Sequence, residues 1–146
     1  MSEAEHVTEA RRWLRYARED LAAASKFNSE EEEFARHVCW LAQQSAEKAI
    51  KAVLVFLQID FPYRHDLEAL RNLLPSGWTI KEADLDMPKL TEWAVEARYP
   101  GEWPEATWNE AENALELAHR ILEIITADLN SNGLDTRSSE PSGRGK

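Results

Sequence analysis

Cys39-Trp40-Leu41-Ala42-Gln43-Gln44-Ser45-Ala46-Glu47-Lys48-Ala49-Ile50-Lys51-Ala52-Val53-Leu54 is the stretch whose reading decides the fold. Wound at about 100° per residue, it and its flanks place Phe34, Val38, Leu41, Ala49, Ala52 and Phe56 on one side of a helix. Cys39, Ala42, Ala46, Ile50, Val53 and Leu57 extend that side round the cylinder, and only Gln43, Gln44, Glu47 and Lys51 form a coherent polar strip. So broad an apolar arc needs cover from more than one direction, by neighbours in its own chain and, as an expectation, by a second subunit. The segment is therefore the predicted organising element of a helical bundle.

Working outward, a first helix is predicted over 3–26, with Ser2 and Glu5 at capping-box spacing and Val7, Ala10, Leu14, Ala17, Leu21 and Ala24 as its stripe. The central helix is predicted to begin after Ser29, with Glu32 three residues on, and to stop near Ile59, ahead of Pro62. A short helix follows from His65 or Asp66 to Leu74 with Leu67, Leu70 and Leu73 inward, then a brief turn at Thr79–Glu82. Asp86 and Pro88 open another helix, ending at Ala97 and burying Leu90, Trp93 and Ala97. The proline-rich stretch Arg98-Tyr99-Pro100-Gly101-Glu102-Trp103-Pro104 is a loop. A last long helix starts at Thr107, boxed with Glu110, and reaches Leu129 on the stripe Ala111, Leu115, Ala118, Leu122, Ile125 and Leu129. The expectation is an all-α, up-and-down four-helix-type bundle with one or two short extra helices over residues 1–129, and a disordered C-terminal tail over 130–146.

The 146 residues suit one domain, and 43% hydrophobic residues with six tryptophans predict a folded globule. The single cysteine, Cys39, sits on an apolar flank, which excludes an internal disulfide and suits a reducing, cytoplasmic setting. No signal peptide opens the chain and no apolar run spans a bilayer, so a membrane role is not expected. A net charge of −10 argues against duplex DNA as a ligand. Arg11, Arg12, Arg15 and Arg18 nonetheless gather within two turns; the row serves either as surface charge paired with Glu19 or the glutamates of the second helix, or as a site for an anionic ligand or RNA.

Glu116 with His119, and Glu3 with His6, have the Glu-x-x-His spacing of di-iron bundles, but Glu116 points away from the apolar stripe and Glu3 lies in a frayable first turn. No metal and no cofactor is expected. Nucleophile elbows and glycine-rich phosphate loops are absent from the sequence. Three polar groups remain. Gln43, Gln44, Glu47 and Lys48 are either a solvated face or a partnered cluster, since Lys48 lies close enough to the apolar stripe to need an acceptor. Arg64-His65-Asp66 opens a helix, where Asp66 suits a cap. Arg98-Tyr99-Pro100 follows a helix end, and with Trp103 it would form an apolar shelf beside a fixed cation.

Together Trp13, Ala17-Arg18-Glu19-Asp20-Leu21, the block from Cys39 to Ala52, His65-Asp66-Leu67 with Leu70, and Arg98-Tyr99-Pro100 resemble the HEPN domain family over residues 7 to 129. The resemblance implies a helical bundle, usually a homodimer, similar also to the C-terminal helical domain of aminoglycoside nucleotidyltransferases. It implies a frequent partner, a minimal nucleotidyltransferase, in toxin–antitoxin-like pairs. Many members are metal-independent ribonucleases with an Arg-x4–6-His motif. Here the histidines are His6, His37, His65 and His119, and no arginine stands five to seven positions before any of them. The expected function is thus a binding module for a nucleotide or a nucleotidyltransferase, with Gln44, Glu47, Lys48, His65, Asp66, Arg98 and Tyr99 as ligand contacts carried over from the resemblance. The alternative is a metal-independent ribonuclease with a rearranged site at Arg64, His65, Arg98 and His119.

Overall fold

The computed structural model describes residues 4–27, 29–63, 65–94 and 105–137, and within them every regular element is helical. Helix α1 spans Glu5–Ala24, α2 Ala35–Phe56 behind a tight turn at Glu32–Phe34, α3 Leu67–Arg71, α4 Thr79–Glu82, α5 Met87–Thr91 and α6 Trp108–Ser131. The chain is all-α. Helix α2 is the axis: α1 packs along one side and α6 along another, α3 and α5 close on it, and α4 rests on α6. No helix among the described residues is long and apolar enough to cross a membrane.

The first two helices pack through small residues. Ala10, Ala17 and Ala24 of α1 and Ala42, Ala46, Ala49 and Ala52 of α2 are all buried. The backbones come close enough for the buried Ser45 hydroxyl to donate to the Ala17 carbonyl at 2.8 Å. Larger side chains, among them Leu14, Ile50, Leu54, Ile121 and Ile125, fill the remaining space, each adding about 1.5–3 kcal/mol on burial.

Fourteen of the 22 residues of α2 are buried, and the elements covering them all belong to the same chain. Most of its apolar arc is therefore covered by its own chain, and the breadth alone does not require a second copy. On α2 the exposed large apolar side chain is Trp40, with Leu41 and Phe56 half-buried.

Several boundaries also move. Ala4 rather than Ser2 precedes α1, without a side-chain cap, and Ser2 lies outside the described residues. Helix α2 starts at Ala35, not after Ser29, because Glu32 is used elsewhere: its carboxylate accepts from the Trp108 backbone N–H at 3.2 Å, in the first turn of α6. The expected Thr107–Glu110 box is present there too. Helix α3 ends at Arg71, so Leu74 turns inward and Leu73 is exposed. Asp86 caps α5 through the Lys89 N–H at 3.1 Å. That helix ends at Thr91, while Ala97 lies outside the described residues. Two N–H groups at the start of α4, which have no partner within that helix, find one far away in sequence, since the buried Asp128 carboxylate accepts from Thr79 at 3.1 Å and Ile80 at 2.9 Å.

Ordered structure continues past Leu129, where the sequence reading begins a tail. Helix α6 continues to Ser131, Leu134 and Thr136 are buried, and Asn130 Oδ1 accepts from the Thr136 hydroxyl at 2.9 Å. Residues 132–137 fold back because α6 ends in a Schellman motif. Gly133 takes a φ of 100°, its N–H reaches the Asn130 carbonyl at 3.2 Å, and that of Leu134 reaches the Leu129 carbonyl at 2.9 Å.

Helix α2 ends in the same motif, with Ile59 N–H on the Leu54 carbonyl at 2.9 Å, but the left-handed position is Gln58 at a φ of 58°. A side chain in that region costs about 1–2 kcal/mol. Gln58→Gly is expected to raise the unfolding free energy by about 1 kcal/mol and Gly133→Gln to lower it by a similar amount. Both changes are read as shifts of the urea midpoint at unchanged slope.

Candidate functional site

Gln43, Glu47 and Lys51 are spaced one turn apart on α2, so their side chains stack along one line of the helix. All three are buried, with Gln43 at 0% and Glu47 and Lys51 at 5% exposure. They are not a solvated face. Glu47 is the hub: its Oε1 accepts from Gln43 Nε2 at 3.0 Å and from His65 Nδ1 at 2.9 Å, and its Oε2 accepts from Lys51 Nζ at 2.8 Å. An ionised carboxylate only accepts, so the His65 proton facing it sits on Nδ1. Gln43 also donates to the His65 carbonyl at 3.5 Å and accepts from Gln44 Nε2 at 2.8 Å.

Three aromatic rings surround the Lys51 ammonium. Phe61 lies 5.4 Å from it, Trp13 5.6 Å and Tyr63 5.9 Å, ring centroid to nitrogen. Their π faces stabilise a cation that has left water. Trp13 comes from α1, whereas Phe61, Tyr63 and His65 come from the connection between α2 and α3, so the cluster joins three parts of the chain. Tyr63 is 92% exposed while its ring meets that of His65 edge-on at 6.0 Å.

Burial, the largest influence on the Glu47 carboxyl, pushes its pKa up. The hydrogen bonds from Lys51, Gln43 and His65 and the Lys51 charge act the other way and hold it below the ordinary glutamate value. The carboxylate is thus ionised across neutral pH.

Of the residues expected at the site, Gln44, Glu47, Lys48 and His65 are brought to one side of α2. Lys48 meets its need for a partner through Asp20 of α1, at 2.6 Å. Asp66 is separate in role: its carboxylate accepts from the Ala69 N–H at 3.1 Å and caps α3 from an exposed position. Arg64, Arg98, Tyr99, Pro100 and Trp103 lie outside the described residues. Glu116 and His119 are exposed on α6. Trp13, Phe61 and Tyr63 are members of the cluster that the sequence reading misses. A buried lysine in a polar strip is the available signal, since such a group needs rings or an acceptor round it.

The arginine row on α1 divides its attention. Arg12 pairs with Glu9 and Arg15 with Glu19 at 3.1 Å, as expected for surface charge. Arg11 Nε instead donates to the Asp135 carbonyl at 3.1 Å and Arg18 Nη1 to the Thr136 carbonyl at 2.7 Å, tying down the returning C-terminal segment.

The family model for the HEPN domain matches residues 10–129. Two solved structures are similar over most of their length. TT1696 from Thermus thermophilus is 28% identical, covering 84% of this chain and 99% of its own, with a TM-score of 0.66. ST0689, an archaeal HEPN homologue, is 26% identical, covering 81% of this chain and 95% of its own, with a TM-score of 0.61. No curated protein matches the chain.

Glu47→Ala leaves the Lys51 ammonium and the Gln43 amide buried without their acceptor, and is expected to cost about 3–5 kcal/mol in chemical denaturation. Because the folded pKa is depressed, the stabilisation from Glu47 is complete above the ordinary value of about 4.3 and is lost as pH falls through the lower folded value. Glu47→Gln is expected to flatten that acid limb of the stability curve.

Proposed function

The chain belongs to the HEPN domain family, and from that membership we propose that it is a non-catalytic binding module, the helical subunit of a pair with a minimal nucleotidyltransferase in a toxin–antitoxin-like system. The observation that carries this reading is the closure of the Glu47 network. Gln43, His65 and Lys51 all donate to the Glu47 carboxylate, so that group is committed to joining parts of the fold. His65 is tied through Nδ1, which leaves Nε2 as the position for proton transfer, but no arginine stands five to seven residues before it to clamp a phosphate. The sequence agrees, since it lacks Arg-x4–6-His throughout.

The rim of the cluster supports contact rather than chemistry. Tyr63 stands in solvent on a connection anchored from below by His65 and Phe61, and Gln44 and Lys48 lie half-buried on the same helix. An aromatic ring held out on a fixed base suits stacking against a nucleotide base or a protein surface. Homodimerisation belongs to this reading by family membership; the cover of α2 does not require it.

The test is reconstitution with a minimal nucleotidyltransferase encoded in the same genome. Co-elution in size-exclusion chromatography with light scattering, weakened by Tyr63→Ala, is the expected outcome. The protein alone, incubated with RNA in the presence of a chelator, is expected to leave it intact. Cleavage that disappears in His65→Ala or Arg98→Ala would instead establish the ribonuclease reading.

A further inference from the structure

On the edge of α1 opposite Trp13 and Asp20, Arg18 differs from most of the cations fixed in this fold and shares with Arg11 and Lys81 a hold on main-chain carbonyls. Arg15, Lys48, Lys51 and Arg71 each hold a carboxylate, at 3.1, 2.6, 2.8 and 2.9 Å respectively. Arg18 is half-buried, yet its bond is to a neutral acceptor, the Thr136 carbonyl, and no ion pair compensates it among the described residues. Burial pushes its pKa down, and no carboxylate acts in the other direction. A guanidinium withdrawn from water without a counter-charge is left with an unmet electrostatic demand.

The carbonyl fixes one of the three guanidinium nitrogens and so orients the planar fork, leaving the other N–H groups for a ligand. They border a groove of about 370 Å³ between α1 and α6, whose wall also carries His119, Glu123, Ala127 and Asn130. Asn130 Oδ1 accepts from the Thr136 N–H and hydroxyl, which leaves the NH₂ of that amide as its donor toward a ligand. The exposed imidazole of His119 adds a further nitrogen. Arg18 and the Asn130 amide stand in one groove with His119 about three turns of α6 away, and a fixed guanidinium beside an amide donor suits a phosphoryl group. Glu123, the carboxylate of the wall, would repel a second anionic group and accept from a hydroxyl. The volume lies within the range of small-molecule sites.

From this geometry we infer that the α1–α6 groove binds a small phosphomonoester bearing free hydroxyls, with Arg18 holding the phosphoryl group and Glu123 a hydroxyl. This site is separate from the Glu47 cluster and does not depend on the nucleotidyltransferase reading.

The experiment titrates the full-length protein with ribose 5-phosphate, following amide and Arg side-chain NMR signals, with ribose as the control. Saturable shifts confined to residues of this groove at millimolar ligand are expected, and none with ribose. Arg18→Gln is expected to weaken binding at least about tenfold. Because that change also removes the bond to Thr136, Ala127→Trp is the second variant: it fills the groove from an exposed position, leaves the Arg18–Thr136 bond in place, and is expected to abolish the shifts. Absence of saturable shifts in the wild type, or undiminished binding in Ala127→Trp, overturns the assignment.

Discussion

An ionised carboxylate lies inside this bundle, and its needs organise much of what surrounds it. Removing Glu47 from water carries a desolvation cost of several kcal/mol unless hydrogen bonds and a counter-charge replace the lost solvent. Two of the replacements come from α2 itself, one turn either side, and cost little order beyond the helix. The third, His65, lies eighteen residues on, and delivering it requires the chain after Pro62 to fold back over α2. That return path brings Phe61 and Tyr63 against Lys51, and Trp13 of α1 completes the set of rings. One charge therefore couples α1, α2 and the entry to α3. Relaxing any one contact would leave another buried group without its partner.

What the sequence reveals, and what it hides, follows from the same physics. Periodicity reports the azimuth of a residue on its helix, so the long helices, the Thr107–Glu110 box and the breadth of α2 are legible. It does not report what lies over that azimuth. The polar strip of Gln43, Glu47 and Lys51 could have faced water, because its cover is a connection with no repeating pattern of its own. The apolar arc reads as too wide for one chain because the short helices α3 and α5 contribute cover that their length disguises. Long-range caps are equally silent: Glu32 serves Trp108, and Asp128 serves Thr79 and Ile80, each across dozens of residues. The C-terminal turn is the exception, since Asn132-Gly133-Leu134 after an apolar stripe is a readable Schellman signal, outweighed there by the polar composition beyond it.

The segments that carry the family resemblance meet in space, and most of their contacts are architectural. Asp20, from the Ala17–Leu21 segment, holds Lys48 from the central block; Glu47 from that block holds His65; Asp66 caps α3, and Leu67 and Leu70 enter the core. A pattern of polar residues can thus identify a family while describing how its helices are joined. For the same reason, residues matched to such a pattern are poor guides to where a ligand sits.

Binding capacity resides where hydrogen-bonding groups are unspent, and here the two edges of α1 contrast. Toward α2, Asp20 and Trp13 face cations whose charges are already matched, so a ligand arriving there would have to displace internal bonds. Toward α6 and the returning C-terminus, Arg18 engages a main-chain carbonyl, which orients its guanidinium without neutralising it. In a chain of net charge −10, a fixed arginine with no carboxylate beside it is the costlier arrangement, and Glu123 stands in the same groove without pairing with it. The bond to Thr136 explains how Arg18 is held but leaves its charge unanswered. Among the described residues, one such open electrostatic demand therefore lies on the α6 side of α1, away from the cluster that the sequence pattern highlights.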